Sequence, residues 1–178
     1  MMSRRAGTMC GAGATLLAAM AIAYQAGMRI NMTPSMPIGL WAIASARAIP
    51  RRGDIVTVCL PNGTALRQAM QRRYIAAGAC RDGAEPLVKP VAATGGDLVT
   101  VTAAGISVNA TPVANTAPLA RDEAGRVLRS IPTGSYRVVP DELWLLSGHD
   151  PRSFDSRYFG AVPVANVLGI ARPLWVLR

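Results

Sequence analysis

The sequence predicts a mainly β domain that carries one helical insert and comes after an N-terminal transmembrane helix. Three observations lead there. A run of 23 uncharged residues, Ala6 to Met28, lies near the start. Short β-branched segments recur between Gly- and Pro-rich turns over the rest of the chain. One stretch, Thr64 to Ala77, places Leu66, Met70, Tyr74 and Ala77 on a single helical face, with Gly78 as a stop. The chain has 178 residues, of which 51% are apolar and 16% charged, and such a composition excludes wholesale disorder.

Ala6 to Met28 is long enough to cross a bilayer core, which takes about 20 helical residues. Arg4 and Arg5 precede it, a bias that leaves the N-terminus in the cytoplasm and exports the rest of the chain. Ala and Gly crowd the run, and Leu16, Leu17 and Ile22 are its only branched aliphatics, so a cleaved signal peptide and a buried soluble helix stand as alternatives. The division expected is an anchor over 1–28 and an exported domain over 29–178, with the helical insert at about 60–85. Arg29 to Leu40, rich in Met and Pro, reads as an irregular loop. Asp54 to Leu60 and Leu87 to Ala92 read as strands, the second ended by the Gly95-Gly96-Asp97 turn. Leu98 to Thr102 and Ile106 to Asn109 flank Ala103-Ala104-Gly105 as a hairpin. Residues 110 to 135 read as an exposed excursion. Tyr136 to Val139, Leu143 to Ser147 and Val167 to Leu177 supply the remaining strands.

Single residues constrain the chemistry more than totals do. The net charge is +9, yet eighteen of the nineteen basic residues are arginine; Lys89 is the only lysine and His149 the only histidine. No two-histidine metal motif can form, no CxxC spacing exists, and no metal or cofactor is expected. The arginines are scattered and aromatics make up 5%, a poor footprint for nucleic acid, so no nucleic-acid partner is expected. Cys10 lies in the uncharged run. Cys59 and Cys80 remain outside it as an even pair, as export favours, although their spacing alone suits two unrelated buried thiols equally well.

Three segments hold candidate chemistry. Ser35 lies in Thr33-Pro34-Ser35-Met36-Pro37, where two prolines stiffen the loop; alone it reads as a solvated turn residue. Lys89 lies in the apolar strand Pro86-Leu87-Val88-Lys89-Pro90-Val91. A guanidinium stays protonated, whereas an ammonium in apolar surroundings can lose its proton and serve as a base. The competing reading is a surface lysine blunting an edge strand. The third segment joins Ser147-Gly148-His149-Asp150 to Ser153-Phe154-Asp155-Ser156-Arg157, in which Asp155 and Arg157, two apart, could pair across one strand face as a structural ion pair. A Ser-His149-Asp triad is a further alternative, with no particular serine indicated.

In chain order, the three segments resemble the signal-peptidase family of serine proteases, and within it the TraF-type peptidases that mature conjugative pilin. The shared pattern is a serine followed by Met and Pro after a membrane anchor (Ser35-Met36-Pro37, then Gly39-Leu40-Trp41). Next come a lysine on an apolar strand and a Gly-Asp turn (Lys89-Pro90-Val91 to Gly96-Asp97), and then a Ser-x-Asp-Ser-Arg box (Ser153 to Arg157) with a following Gly160. The residues before the box, Gly148 to Arg152, depart from the family's Gly-Asp-Asn-Arg-Asp and are one residue shorter. The resemblance implies a signal-peptidase-like β-rich fold and a Ser35–Lys89 dyad. It implies an oxyanion hole from the backbone N–H of Ser35 and the hydroxyl of Thr33, with Ser153, Asp155 and Arg157 orienting the lysine. It also implies a Cys59–Cys80 disulfide around the helical insert.

The same resemblance implies an activity and a place. The enzyme would sit in the bacterial inner membrane with its catalytic domain on the periplasmic side, cutting a membrane-anchored pilin precursor for conjugative transfer. The pilin's own N-terminal amine would then close a cyclic subunit. Ser35 lies seven residues past Met28, a reach of at most about 25 Å, so an anchor at 1–28 holds it near the bilayer. Met32, Met36, Ile38, Leu40 and Trp41 either dip into that surface or form core. An ordinary signal peptidase hydrolysing exported preproteins, and a non-enzymatic anchored subunit of a transfer apparatus, are the alternatives.

Overall fold

The protein is described by a computed structural model covering residues 15, 17–46 and 48–177. Most of the expected anchor, including Cys10, lies outside the described residues. Its described end, residues 17–25, is helical, with Leu17, Met20, Ile22 and Tyr24 exposed. Among the described residues no helix is long and apolar enough to cross a membrane.

Among the described residues, eleven strands build two sheets. They are β1 (Met28–Asn31), β2 (Gly39–Ser45), β3 (Ile55–Val58), β4 (Leu87–Thr94), β5 (Leu98–Thr102), β6 (Gly105–Val108), β7 (Thr111–Val113), β8 (Gly134–Arg137), β9 (Glu142–Leu145), β10 (Val162–Pro163) and β11 (Val167–Val176). The larger sheet has seven strands in the order β1-β2-β11-β3-β4-β9-β10, and its neighbours are antiparallel. The smaller has the order β7-β6-β5-β8. The mainly β expectation therefore holds; beyond the helical stretch at 17–25, the described residues hold two short α-helices, α1 (Thr64–Gln71) and α2 (Ser156–Phe159).

Local structure departs from the sequence expectation at several points. The expected loop from Arg29 to Leu40 contains β1 and opens β2, which pair from Met28 against Ala42 to Asn31 against Gly39. Met, Arg and Asn are weak strand formers, so pairing to a neighbour decides their state. The chain enters β2 through Gly39 at φ +149°, where a Cβ would lie 2.2 Å from the carbonyl oxygen of Trp175, so only glycine lets β2 approach β11 this closely. The helix predicted to Ala77 stops at Gln71, because Arg73 turns to φ +60° and sends the chain back toward Cys80. The excursion over 110–135 contributes β7, paired with β6.

Burial explains the layers. Val56, Val58, Val91, Leu143 and Leu145 project from the larger sheet onto Leu66 and Ala69 of α1. A second cluster, including Val99, Val101, Val108, Trp144 and Leu146, joins the two sheets. Met36 and Trp41 are 4% and 2% exposed and pack with Ala171, so these two belong to the core and do not face a bilayer. Cys59 and Cys80 form a disulfide that closes the insert at its base, with Cα atoms 5.8 Å apart; of the two sequence readings, the bridge is the one found.

Candidate active site

Ser35 and Lys89 meet. Lys89 lies on β4 opposite Val56 of β3, and its side chain shares a face with Val91 and Ala93, so it is 3% exposed. It is not a surface lysine on an edge strand, since β4 has β3 on one side and β9 on the other. Its Nζ donates to Ser35 Oγ at 2.6 Å. Burial in this apolar sheet pushes the amine down from its ordinary value to about 8; Asp155 pulls it up, Arg157 opposes, and Asp150 adds a smaller upward pull.

The loop carrying Ser35 is held from both sides. On one side, Asn31 at the end of β1 donates through Nδ2 to the carbonyl oxygens of Thr33 (3.0 Å), Met36 (3.0 Å) and Pro37 (3.1 Å). Its Oδ1 accepts from the Thr33 N–H (3.2 Å) and the Thr33 hydroxyl (2.8 Å). Thr33 Oγ1 lies 3.5 Å from Ser35 Oγ. On the other side, the Ser147 hydroxyl donates to the backbone oxygen of Ser35. Buried Trp41 adds a bond from Nε1 to the Pro37 oxygen at 3.1 Å.

Behind the lysine lies a buried ion pair. Asp155 and Arg157 are both fully buried, joined by bonds of 2.8 Å from Nε and 2.7 Å from an Nη. They do not pair across a strand face as the spacing suggested. Asp155 is the N-cap of α2, accepting from the Arg157 N–H at 3.1 Å, and the guanidinium folds back onto its own cap. Three carbonyl oxygens, of Asn115, Pro151 and Ser153, take the remaining donors at 2.9, 2.9 and 3.1 Å. Burial works against the charge of Arg157, but the Asp155 bonds and charge outweigh it and raise its pKa. Gly160 ends α2 at φ +75°. Asp155 also accepts from the Ser147 N–H at 3.0 Å, so one carboxylate ties the ion pair to the strand end whose hydroxyl holds Ser35.

Two further candidates stand outside this network. Ser153 is buried, but its hydroxyl has no hydrogen-bond partner among the described residues, and its backbone oxygen makes the bond to Arg157. His149 is exposed; its backbone N–H bonds Ser147 Oγ, and among the described residues its imidazole makes no hydrogen bond to Ser35 or Lys89. No cluster of His, Cys, Asp or Glu among the described residues could hold a metal ion. Sequence reading missed Asn31, and it put Ser147 in a candidate segment without giving it a role. The Asn-x-Thr spacing of Asn31 and Thr33 is an Asx-turn signal that could have flagged the first; nothing local shows which partner the second takes.

Comparisons with known proteins identify the relatives of this chain. The family described as "Signal peptidase, peptidase S26" matches residues 4–176. A Sinorhizobium fredii protein named "Probable conjugal transfer protein TraF" is 41% identical over 152 residues, covering 84% of this chain and 78% of its own. An Escherichia coli "Plasmid transfer protein TraF" is 36% identical over 163 residues, covering 92% and 90%. A solved signal peptidase I from Enterococcus faecalis is 19% identical with a TM-score of 0.37, over 68% of this chain and 95% of that one.

Proposed function

The chain belongs to the signal peptidase family, peptidase S26, and from that premise we propose that it is a Ser–Lys serine endopeptidase of conjugative transfer, acting on a membrane-anchored pilin precursor. The observation that carries the reading is the 2.6 Å contact between Lys89 Nζ and Ser35 Oγ inside an apolar sheet.

In its neutral form Lys89 accepts the Ser35 proton as the hydroxyl oxygen attacks a peptide carbonyl. The oxyanion is met by the Ser35 N–H and the Thr33 hydroxyl; Pro34, between them, has no N–H to give. Lys89 then passes its proton to the leaving amine, which departs as the C-terminal fragment, and Ser35 keeps the rest of the pilin as an ester. Attack by water would give a linear product. Attack by the pilin's own N-terminal amine breaks the same ester, forms an amide and returns the proton to Ser35, so the subunit leaves as a ring. The names of the TraF relatives support the conjugative setting.

The anchor and the periplasmic placement rest on the uncharged run with Arg4-Arg5 before it. Exposed Ile30, Met32, Ile38, Trp175 and Leu177 lie on or beside the three strands nearest the Ser35 loop, where a bilayer surface would accept them. Mass spectrometry of a pilin precursor co-expressed with the full chain tests the proposal. Processing that disappears in Ser35→Ala and Lys89→Ala is expected, with a product one water lighter than the linear peptide. Processing by either variant overturns the dyad, and a linear product overturns the ring.

A further inference from the structure

Four side chains form a line across the nucleophile: Asn31, Thr33, Ser35 and Lys89, joined by contacts of 2.8, 3.5 and 2.6 Å. The orientation of the Asn31 amide is forced. Its Nδ2 faces three carbonyl oxygens, and a flip would set Oδ1 against all three while aiming an N–H at the Thr33 N–H. Oδ1 therefore points at Thr33, and the Thr33 hydroxyl proton points at Oδ1.

We propose that Asn31 is the positioning residue of the oxyanion donor: it parks the Thr33 hydroxyl beside Ser35 and releases its proton when negative charge develops on the substrate oxygen. This rests on the reading of Ser35 as nucleophile and Thr33 as donor. Two properties of the contact fit the role. Thr33 is exposed, so its hydroxyl is free to turn once a stronger acceptor is present. Asn31 also fixes the backbone on either side of Ser35, since it bonds the oxygens of Thr33 and Met36, and this prevents Thr33 from drifting as its proton swings. A neutral amide suits such an exchange; a carboxylate at this position would hold the proton too strongly and repel the same three carbonyls.

The test is a double-mutant cycle in the full chain, reading kcat and KM separately on a peptide spanning the cut site. Thr33→Ala is expected to lower kcat about 100-fold, the usual effect of losing one oxyanion donor. Asn31→Ala is expected to lower kcat about 10- to 100-fold with KM within about twofold, because a misplaced donor is lost mainly in the transition state. The double variant should fall no further than the more impaired single. Independent, multiplying losses would mean that Asn31 acts on the loop and not through Thr33, and an unchanged kcat in Asn31→Ala would equally overturn the proposal. If Asn31→Ala fails to fold, Asn31→Ser, a neutral side chain that can still accept from the Thr33 N–H but cannot donate to the three carbonyls, carries the same cycle. Ser35→Ala separates the two levels: peptide cleavage that survives it refutes the nucleophile itself, whereas its loss alongside multiplying Asn31 and Thr33 effects refutes only the positioning role.

Discussion

The hydroxyl of Ser147 donates to the backbone oxygen of Ser35, joining residues 112 apart in the chain. With the Ser147 N–H bonded to Asp155, this residue is the strut between the buried Asp155–Arg157 pair and the nucleophile loop. Ser147→Ala removes the strut and leaves little void, since Ser147 is fully buried and loses a single oxygen. The expected outcome is kcat lowered about tenfold, with thermal stability down by about 2 kcal/mol, because the hydroxyl's bonds to the Ser35 oxygen and from the His149 N–H are both lost. Steady-state kinetics beside a thermal melt checks it; a large melt shift with unchanged kcat would assign the bond to folding alone.

Removing the Asp155 carboxylate should unfold more than it inactivates. Asp155→Ala leaves the fully buried guanidinium of Arg157 with carbonyl partners only. A broken buried pair costs about 3 to 5 kcal/mol, because a charge remains without its counterion. Urea denaturation measures this directly. Replacing both partners together should cost less than Asp155→Ala, since no lone charge is left.

Lys89 carries a stability cost of its own making. Its folded pKa, about 8, lies below the value near 10.4 of an unfolded lysine, so between those values the unfolded chain binds more protons and native stability rises with pH. Below about pH 8 the cost of burying the ammonium is present in full. Lys89→Met is therefore expected to stabilise the fold by about 1 to 3 kcal/mol at pH 7, with the gain shrinking to nothing above about pH 10.4, while abolishing cleavage. Denaturation curves of the two proteins across that range decide it.

The Cys59–Cys80 bridge closes a loop with a sequence separation of 21 around α1. Constraining a loop of that length is worth about 3 kcal/mol. Cys59→Ser with Cys80→Ser is expected to lower stability by about that amount. Activity at a temperature well below the melt should be unchanged, because none of the hydrogen bonds described at Thr33, Ser35, Lys89 or Asp155 comes from the bridged segment 59–80.

Much of this site is legible in the sequence, and the boundary of what is legible has a physical cause. Lys89 stands out because its residue type conflicts with its neighbours, a lone lysine in an apolar strand; Ser35 alone reads as a turn residue and is picked out by the resemblance that joins the three segments. Strands β3, β5 and β6 are visible because β-branched residues and a Gly turn declare themselves locally. Strands β1 and β2 are not, because Ile30 is the one β-branched residue in Met28–Asn31, too little to mark a strand until β2 lies beside it. Asp155 and Arg157 are correctly paired by their spacing but wrongly placed on a strand, since a spacing of two cannot distinguish a strand face from a helix cap with the side chain folded back. The role of Ser147, which the sequence places only within a candidate segment, is hidden for a different reason: its partner lies 112 residues away, and a long-range bond from a common residue type leaves no local pattern.

Catalysis by this dyad requires that the Lys89 amine shed its proton near neutral pH while touching Ser35. Because Lys89 is the only lysine in the chain, labelling lysine at its ε-carbon gives one side-chain resonance, and its chemical shift can be titrated in the full protein held in detergent micelles. A midpoint near pH 8, displaced in Ser35→Ala, is the expected result. A midpoint near 10.4, that of a free lysine, would contradict the dyad.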